Sequence, residues 1–292
     1  MPNSKQRREQ ARRHLERQLV RRQQRDLRRR KMNLIATVVG VLVLFAVVVG
    51  TVVLLSDDNS DSTANPAASD STSASPTASG SPLPSRAPSP IAARAAKKTS
   101  GPCGYAEDAG KLTAGNLFDV GLPPDPKPTP TGKATAVFTT NQGTITVTLE
   151  GASAPCNVQS IEYLISKKFY DNTACPRSVN SGIFVVQCGD PSATTSGGPT
   201  YTTKDENLTK ASYTEGTLAM ANSGPNTNGS QFFFITKDSN GALGKNYTVI
   251  GHVTGGLNVL KKVAEGGDDG SNQAGGGKPN IPLIFKTVTL KS

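Results

Sequence analysis

Residues 216–234 read GTLAMANSGPNTNGSQFFF, and the reading of this stretch decides the fold. It opens on a strand-like piece, Leu218-Ala219-Met220-Ala221, and closes on an aromatic one, Phe232-Phe233-Phe234-Ile235. Between them, residues 222–229 carry Gly, Pro or Asn at nearly every position, the composition of a stiff, polar turn. Two apolar strands joined by such a loop leave polar groups open to a ligand with apolar side chains beside them.

The flanking sequence supplies partners for these strands. Residues 134–150 alternate with period two around Asn141-Gln142-Gly143, putting Ile145, Val147 and Leu149 on one face of a predicted hairpin. Val158, Ile161, Leu164 and Ile165 recur at helical spacing and predict an amphipathic helix over 157–168. Further strands are expected around 174–179, 183–187, 248–253 and 284–290. Leu257, Leu260 and Val263 mark the apolar face of a second short helix. Many short strands with two isolated helices predict a mainly β domain, a barrel with helices at its ends, whose closure removes exposed strand edges.

At 292 residues the chain has room for one or two domains. The formal charge of +10 is confined to residues 1–31, which hold thirteen of the 32 basic and three of the 22 acidic residues, leaving nineteen of each elsewhere. The basicity therefore describes a tail, read as a solvated cytoplasmic segment that anionic lipid attracts; no aromatic residue is interleaved to stack on bases, so nucleic acid is not expected as a partner. Residues 32–56 contain no charge and exceed the ~20 residues a helix needs to cross a bilayer. No small-residue cleavage site follows, so the expectation is an uncleaved transmembrane anchor with the basic end in the cytoplasm and everything after it outside. Residues 57–100, rich in Ser, Thr, Ala and Pro, are expected to form a disordered linker, and residues 101–131 an extended arm broken by prolines. The folded domain spans 132–292. Four cysteines, Cys103, Cys156, Cys175 and Cys188, follow the apolar span without CxxC spacing, and the only histidines are His14 and His252. The pattern fits disulfides in an oxidising compartment better than a zinc site.

The run MANSGPNTNGSQFF, residues 220–233, resembles the central motif of the cyclophilins, the peptidyl-prolyl cis-trans isomerases. Two further segments resemble the same family: FYDNTACPRSVNSGIFVVQCGDP (169–191) and LGKNYTVIG (243–251). The similarity runs from about Thr135 to Leu290 and implies a closed eight-stranded antiparallel barrel capped by two helices. It implies Arg177 as the catalytic residue. Phe184, Met220, Phe233 and Leu243 match the walls of a proline pocket; Gln187, Ala221, Asn222 and Gln231 match positions that bind substrate backbone; and Tyr247 stands where many relatives carry a histidine at the pocket edge. Asp205-Glu206-Asn207 also matches a family segment and reads as structural. No cofactor or metal is implied. Asp268 and Asp269, in the Gly-rich run 266–277, lack calcium-ligand periodicity, so that run is read as a mobile surface loop.

Departures from the family pattern carry expectations too. About two extra residues separate Arg177 from Gln187, and Pro176 replaces a common histidine. Cyclosporin-sensitive relatives usually place a Trp beside the Leu243 position; this chain has none, so weak or no cyclosporin binding is expected. Cys175 and Cys188 flank the hairpin that carries Arg177 and Gln187 and are expected to pair, with Cys103 then joined to Cys156, although four cysteines allow three connectivities. The function expected is isomerisation of X-Pro bonds in unfolded exported proteins at the outer face of the cytoplasmic membrane. The alternative is a non-catalytic module that binds Pro-containing segments of an envelope protein.

Overall fold

The structure, a computed structural model, describes residues 83–127, 129 and 131–291. The expected tail, the apolar span at 32–56 and the first part of the linker lie outside the described residues. Among the described residues, no helix is long and apolar enough to cross a membrane.

In chain order the elements are β1 (Ala106–Glu107), β2 (Leu117–Phe118), β3 (Lys133–Thr140), β4 (Thr144–Glu150), α1 (Pro155–Ser166), β5 (Thr173–Ala174), β6 (Arg177–Ser181), β7 (Ile183–Cys188), β8 (Gly198–Pro199), β9 (Tyr201–Thr202), a 3-10 turn at Leu208–Lys210, β10 (Thr217–Met220), β11 (Phe232–Ile235), β12 (Val249–Gly255), α2 (Leu257–Glu265) and β13 (Ile284–Lys291). Nine strands form one antiparallel sheet in the order β5-β13-β3-β4-β12-β10-β11-β7-β6. Laid flat, its edge strands would stand nearly 40 Å apart at ~4.8 Å per neighbour. Yet β5 and β6 are joined by Cys175 and Pro176 alone, a reach of about 11 Å at most. The sheet must therefore curl until its two edges meet.

The expectation of a closed eight-stranded barrel is corrected here. The main sheet has nine strands, and no ladder pairs β5 with β6, because the two are successive pieces of one extended run, which has no way to fold back on itself in two residues.

Alternation fills the inside of the curl. Phe138 meets Phe285, Phe234 and Phe232 at ring-centroid distances of 5.0, 5.8 and 5.9 Å. Helix α1 adds Val158, Ile161, Leu164 and Ile165 to this core, as read from their spacing; α2 adds Leu260 and Val263, as read, and Val259, which was not, while Leu257 packs against the core partly buried. Helix α1 begins with Pro155 at a position where a missing N–H costs nothing. Its free N–H groups at Cys156 and Asn157 donate to the Glu206 carboxylate at 3.2 and 2.9 Å, so Glu206 is structural as expected.

Residues 83–100 are not a free linker. The Arg86 guanidinium lies 5.0 Å over the Phe118 ring and donates to the Phe169 carbonyl, while the Arg86 N–H donates to Pro191 O at 2.7 Å. Arg94 grips Glu107 through two parallel bonds of 2.5 and 2.7 Å. The composition argument counted apolar area, whereas this segment is held by guanidinium contacts and main-chain bonds. In the arm that follows, β1 pairs with β9, β2 runs parallel to β8, and a disulfide joins Cys103 to Cys156 at the start of α1.

The Arg94–Glu107 pair gives a pH prediction. The hydrogen bonds from Arg94, aided by the Lys97 N–H, outweigh burial and hold the Glu107 carboxyl at about 2, below the usual carboxylate range. A depressed carboxylate stabilises the fold fully above its unfolded value, near 4.3, and loses that contribution as pH falls through the folded value. Wild type is thus expected to melt above Glu107→Gln at neutral pH, and the gap in Tm to close as pH falls from about 4.5 to about 2. A gap that does not change with pH in a melting series would refute the pairing.

Candidate active site

Strand register builds the site. Arg177 on β6 stands opposite Gln187 on β7, Gln187 opposite Phe233 on β11, Phe233 opposite Ala219 on β10, and Ala219 opposite Val249 on β12. Partners across a sheet share a face, so this row lies on the outer face of the curl. Their chain neighbours Val186, Cys188, Phe232, Phe234 and Met220 point the other way, into the core. The two expected extra residues between Arg177 and Gln187 leave this pairing intact; the hairpin turns beyond it, at Gly182, whose φ of 78° favours glycine.

The row floors a groove of about 370 Å³ that Arg177, Ile183, Val185, Gln187, Thr195, Ala221, Asn222, Phe233, Leu243, Tyr247, Asn272 and Ala274 line. Phe233 is its buried floor, and the Tyr247 ring stands edge-on to it at 5.3 Å. Tyr213 fixes Tyr247 from behind: its hydroxyl accepts from Tyr247 N and donates to Tyr247 O, each at 3.0 Å. Asn222 anchors the central loop by donating to Asn246 O at 2.9 Å, and its carboxamide oxygen accepts from Gly224 N. A second hollow of about 480 Å³ continues past Gln187, Thr195, Ala221 and Asn222, with Gln231 and the arm residues Asp108, Lys111 and Asn116 around it.

A polar chain runs along one side. Arg177 Nη1 donates to Gln187 Oε1 at 2.9 Å, Gln187 Nε2 to Gln231 Oε1 at 2.8 Å, and Gln231 Nε2 to the carbonyls of Gly197 and Thr195 at 2.9 and 3.1 Å. Arg177 also donates from Nε to Gly275 O at 2.8 Å and from Nη2 to Ala274 O at 2.9 Å. Three of its five N–H groups are thereby fixed, and one on each Nη remains for a ligand. Burial pulls the guanidinium below its ordinary value, with Tyr247 and Asp268 acting in the opposite sense; an arginine so placed keeps its charge at neutral pH.

Of the residues expected here, Arg177, Gln187, Ala221, Asn222, Phe233, Leu243 and Tyr247 come together around the groove, with Gln231 one hydrogen bond behind. Two expectations are corrected. Met220 is fully buried in the core, because it neighbours Ala219 and so takes the opposite face of β10. Phe184 leaves the groove for the same reason: it is one residue from Val185, and its ring lies under Lys237 Nζ at 4.9 Å. Val185, two residues before Gln187, takes the wall position, and strict alternation in IFVVQ would have found it. Residues 266–277 are corrected as well, since this loop packs on Arg177 and supplies Asn272 and Ala274 to the groove. Its contribution through main-chain carbonyls has no signature in sequence. The expected Cys175–Cys188 disulfide is present and ties the β5–β6 link to the end of β7.

The curled antiparallel sheet thus carries, on its outer face, an apolar-floored groove with a fixed guanidinium and flanking carboxamides. The profile of the family described as "Cyclophilin type peptidyl-prolyl cis-trans isomerase/CLD" matches residues 135–283, half of the chain, and the chain belongs to this family. Among curated relatives it is 41% identical over 182 residues to "Probable peptidyl-prolyl cis-trans isomerase B" of Mycobacterium leprae, covering 57% of this chain and 59% of that one. It is 38% identical to the protein of the same name from Mycobacterium tuberculosis, covering 56% and 55%. To "Peptidyl-prolyl cis-trans isomerase A" of Mycobacterium tuberculosis it is 32% identical, covering 55% of this chain and 94% of that one. The match thus spans little more than half the length of the first two relatives.

Proposed function

We propose that this chain accelerates rotation about X-Pro peptide bonds. The observation that carries the reading is the Arg177 guanidinium, pinned on three sides with N–H groups to spare, in a groove it shares with the apolar side chains of Phe233, Leu243 and Tyr247. The X-Pro amide resists rotation because C–N resonance sets a barrier of ~18–20 kcal/mol. Twisting the bond localises the nitrogen lone pair. A guanidinium donor aimed at that nitrogen binds the twisted state better than either planar one, which is the requirement for catalysis. Phe233, Leu243 and Tyr247 grip the ring while Gln187 and Asn222 hold the flanking peptide, so that rotation is confined to one bond. Raising a rate of ~0.01 s⁻¹ to ~1,000 s⁻¹ takes about 7 kcal/mol, within the reach of a few oriented donors in a sheltered groove. Exchange spectroscopy on an Ala-Ala-Pro-Phe peptide with the purified chain tests the proposal. Unaccelerated exchange, together with saturable binding of the same peptide, would leave a binding module instead.

The uncharged run 32–56, preceded by thirteen basic residues, supports tethering to the cytoplasmic membrane with the domain outside, and two disulfides suit an oxidising space. The substrates are then proline-containing segments of exported chains. External protease that strips the domain from intact cells supports this arrangement; a domain shielded until the cells are lysed refutes it. Without a Trp beside Leu243, cyclosporin is expected to bind weakly, and a sub-micromolar Kd by calorimetry would overturn that expectation.

A further inference from the structure

The edge strand β6 is not bare. Residues 266–278, between α2 and β13, fold back along it: Ser178 N donates to Gly277 O at 2.8 Å and Gly277 N to Ser178 O at 3.1 Å. The loop is built for this approach. Gly276 has φ of 71°, and a Cβ there would lie 2.0 Å from Ser178 O, so only glycine lets the loop reach the strand. At its base the Asp269 carboxylate accepts from Lys278 N at 2.8 Å and Ser271 N at 3.0 Å, while Asp269 N donates to Lys278 O at 3.0 Å. At its tip the Asn272 carboxamide oxygen accepts from Ala274 N, and Asn272 N donates to Gly276 O. The net result is that two successive carbonyls, Ala274 O and Gly275 O, face Arg177 and take Nη2 and Nε at 2.9 and 2.8 Å.

We infer that residues 266–278 are a positioning loop for isomerisation: the carbonyls of Ala274 and Gly275, with Gln187 Oε1 on the third side, fix the plane of the Arg177 guanidinium before substrate arrives. The inference rests on the isomerase reading of Arg177. An arginine free to turn loses its rotamer freedom at the transition state and subtracts that loss from catalysis; one locked at folding has already lost it. The same loop contributes Asn272 and Ala274 to the groove wall, so that the clamp and the substrate lie on either side of one guanidinium.

The test uses Gly276→Ala, which pushes the loop off β6, and Asp269→Ala, which loosens its base away from the groove, each in the full chain and each again in an Arg177→Ala background. The expected result is a fall in kcat of roughly tenfold to a hundredfold with KM little changed, as for a misplaced catalytic group, and no further loss when Arg177 is already alanine. The Nε–Hε resonance of Arg177 in a nitrogen-15 spectrum is expected to lose its protection from exchange in both loop variants. Equal fold-losses with and without Arg177, an unshifted and protected resonance, or full activity in Gly276→Ala overturns the positioning role alone. An inactive wild type overturns the isomerase reading and this inference with it; an Arg177→Ala variant as active as wild type overturns the role of Arg177 and this inference, while isomerisation by the chain stands.

Discussion

Arg177→Ala is expected to lower kcat/KM for a proline tetrapeptide by about a hundredfold to a thousandfold, the loss that follows removal of one preorganised donor. The fold is expected to survive, because the groups abandoned by the guanidinium (Gln187 Oε1, Ala274 O and Gly275 O) border a groove that water enters. Each then exchanges a protein donor for a water donor, a replacement worth little in stability. Arg177→Lys separates charge from geometry. An ammonium is a point charge without a planar fork, so it cannot hold three directions at once and still present donors to the substrate. Lysine is therefore expected to recover little activity. Exchange spectroscopy on both variants, with circular dichroism to certify folding, measures this. An alanine variant within threefold of wild type, roughly 0.6 kcal/mol of transition-state stabilisation, would place the chemistry elsewhere.

What the sequence made legible follows physical lines. The strands and both helices were readable because their side chains repeat with periods of two and 3.6, and Arg177, Gln187 and Phe233 were readable because they lie in segments with a family likeness. Met220 and Phe184 went astray because a motif names a strand without saying which of its faces a residue takes; pairing Ala219 with Phe233 and Gln187 with Phe233 settles both. The curl's open seam was hidden because closure depends on whether two particular edges form a ladder, and Cys175-Pro176 is an inconspicuous join. The holding of residues 83–100 rests on Arg86 and Arg94, whose partners lie up to 105 residues away in the chain. The loop at 266–278 acts through carbonyl oxygens, which every residue has. Long-range polar contacts and main-chain chemistry leave no local pattern, and these are the parts that only the structure supplies.

The two disulfides are expected to fail in different ways. Cys103–Cys156 closes 53 residues of chain and Cys175–Cys188 closes 13, so the loss of unfolded-chain entropy predicts contributions of about 4 and about 3 kcal/mol respectively. Stability thus ranks the arm's bond first. Activity ranks them the other way. Cys175 and Cys188 are fully buried in the core, Cys175 is two residues from Arg177, and Cys188 adjoins Gln187. Their bond fixes the seam where β5 passes into β6 against the end of β7, and hence the strand pair that aims the guanidinium. Cys103–Cys156 instead anchors an arm that contributes Asp108, Lys111 and Asn116 to the second hollow and no residue to the lining of the groove. The Cys103→Ala/Cys156→Ala pair is accordingly expected to show the larger drop in urea midpoint with kcat on a short peptide retained. The Cys175→Ala/Cys188→Ala pair is expected to show the smaller drop with kcat reduced severalfold, part of the penalty of a displaced Arg177. Urea titration and peptide exchange on the same two preparations decide the matter. If kcat falls equally in both, the loss reflects general loosening of the domain, and the bond beside Arg177 has no particular hold on the site.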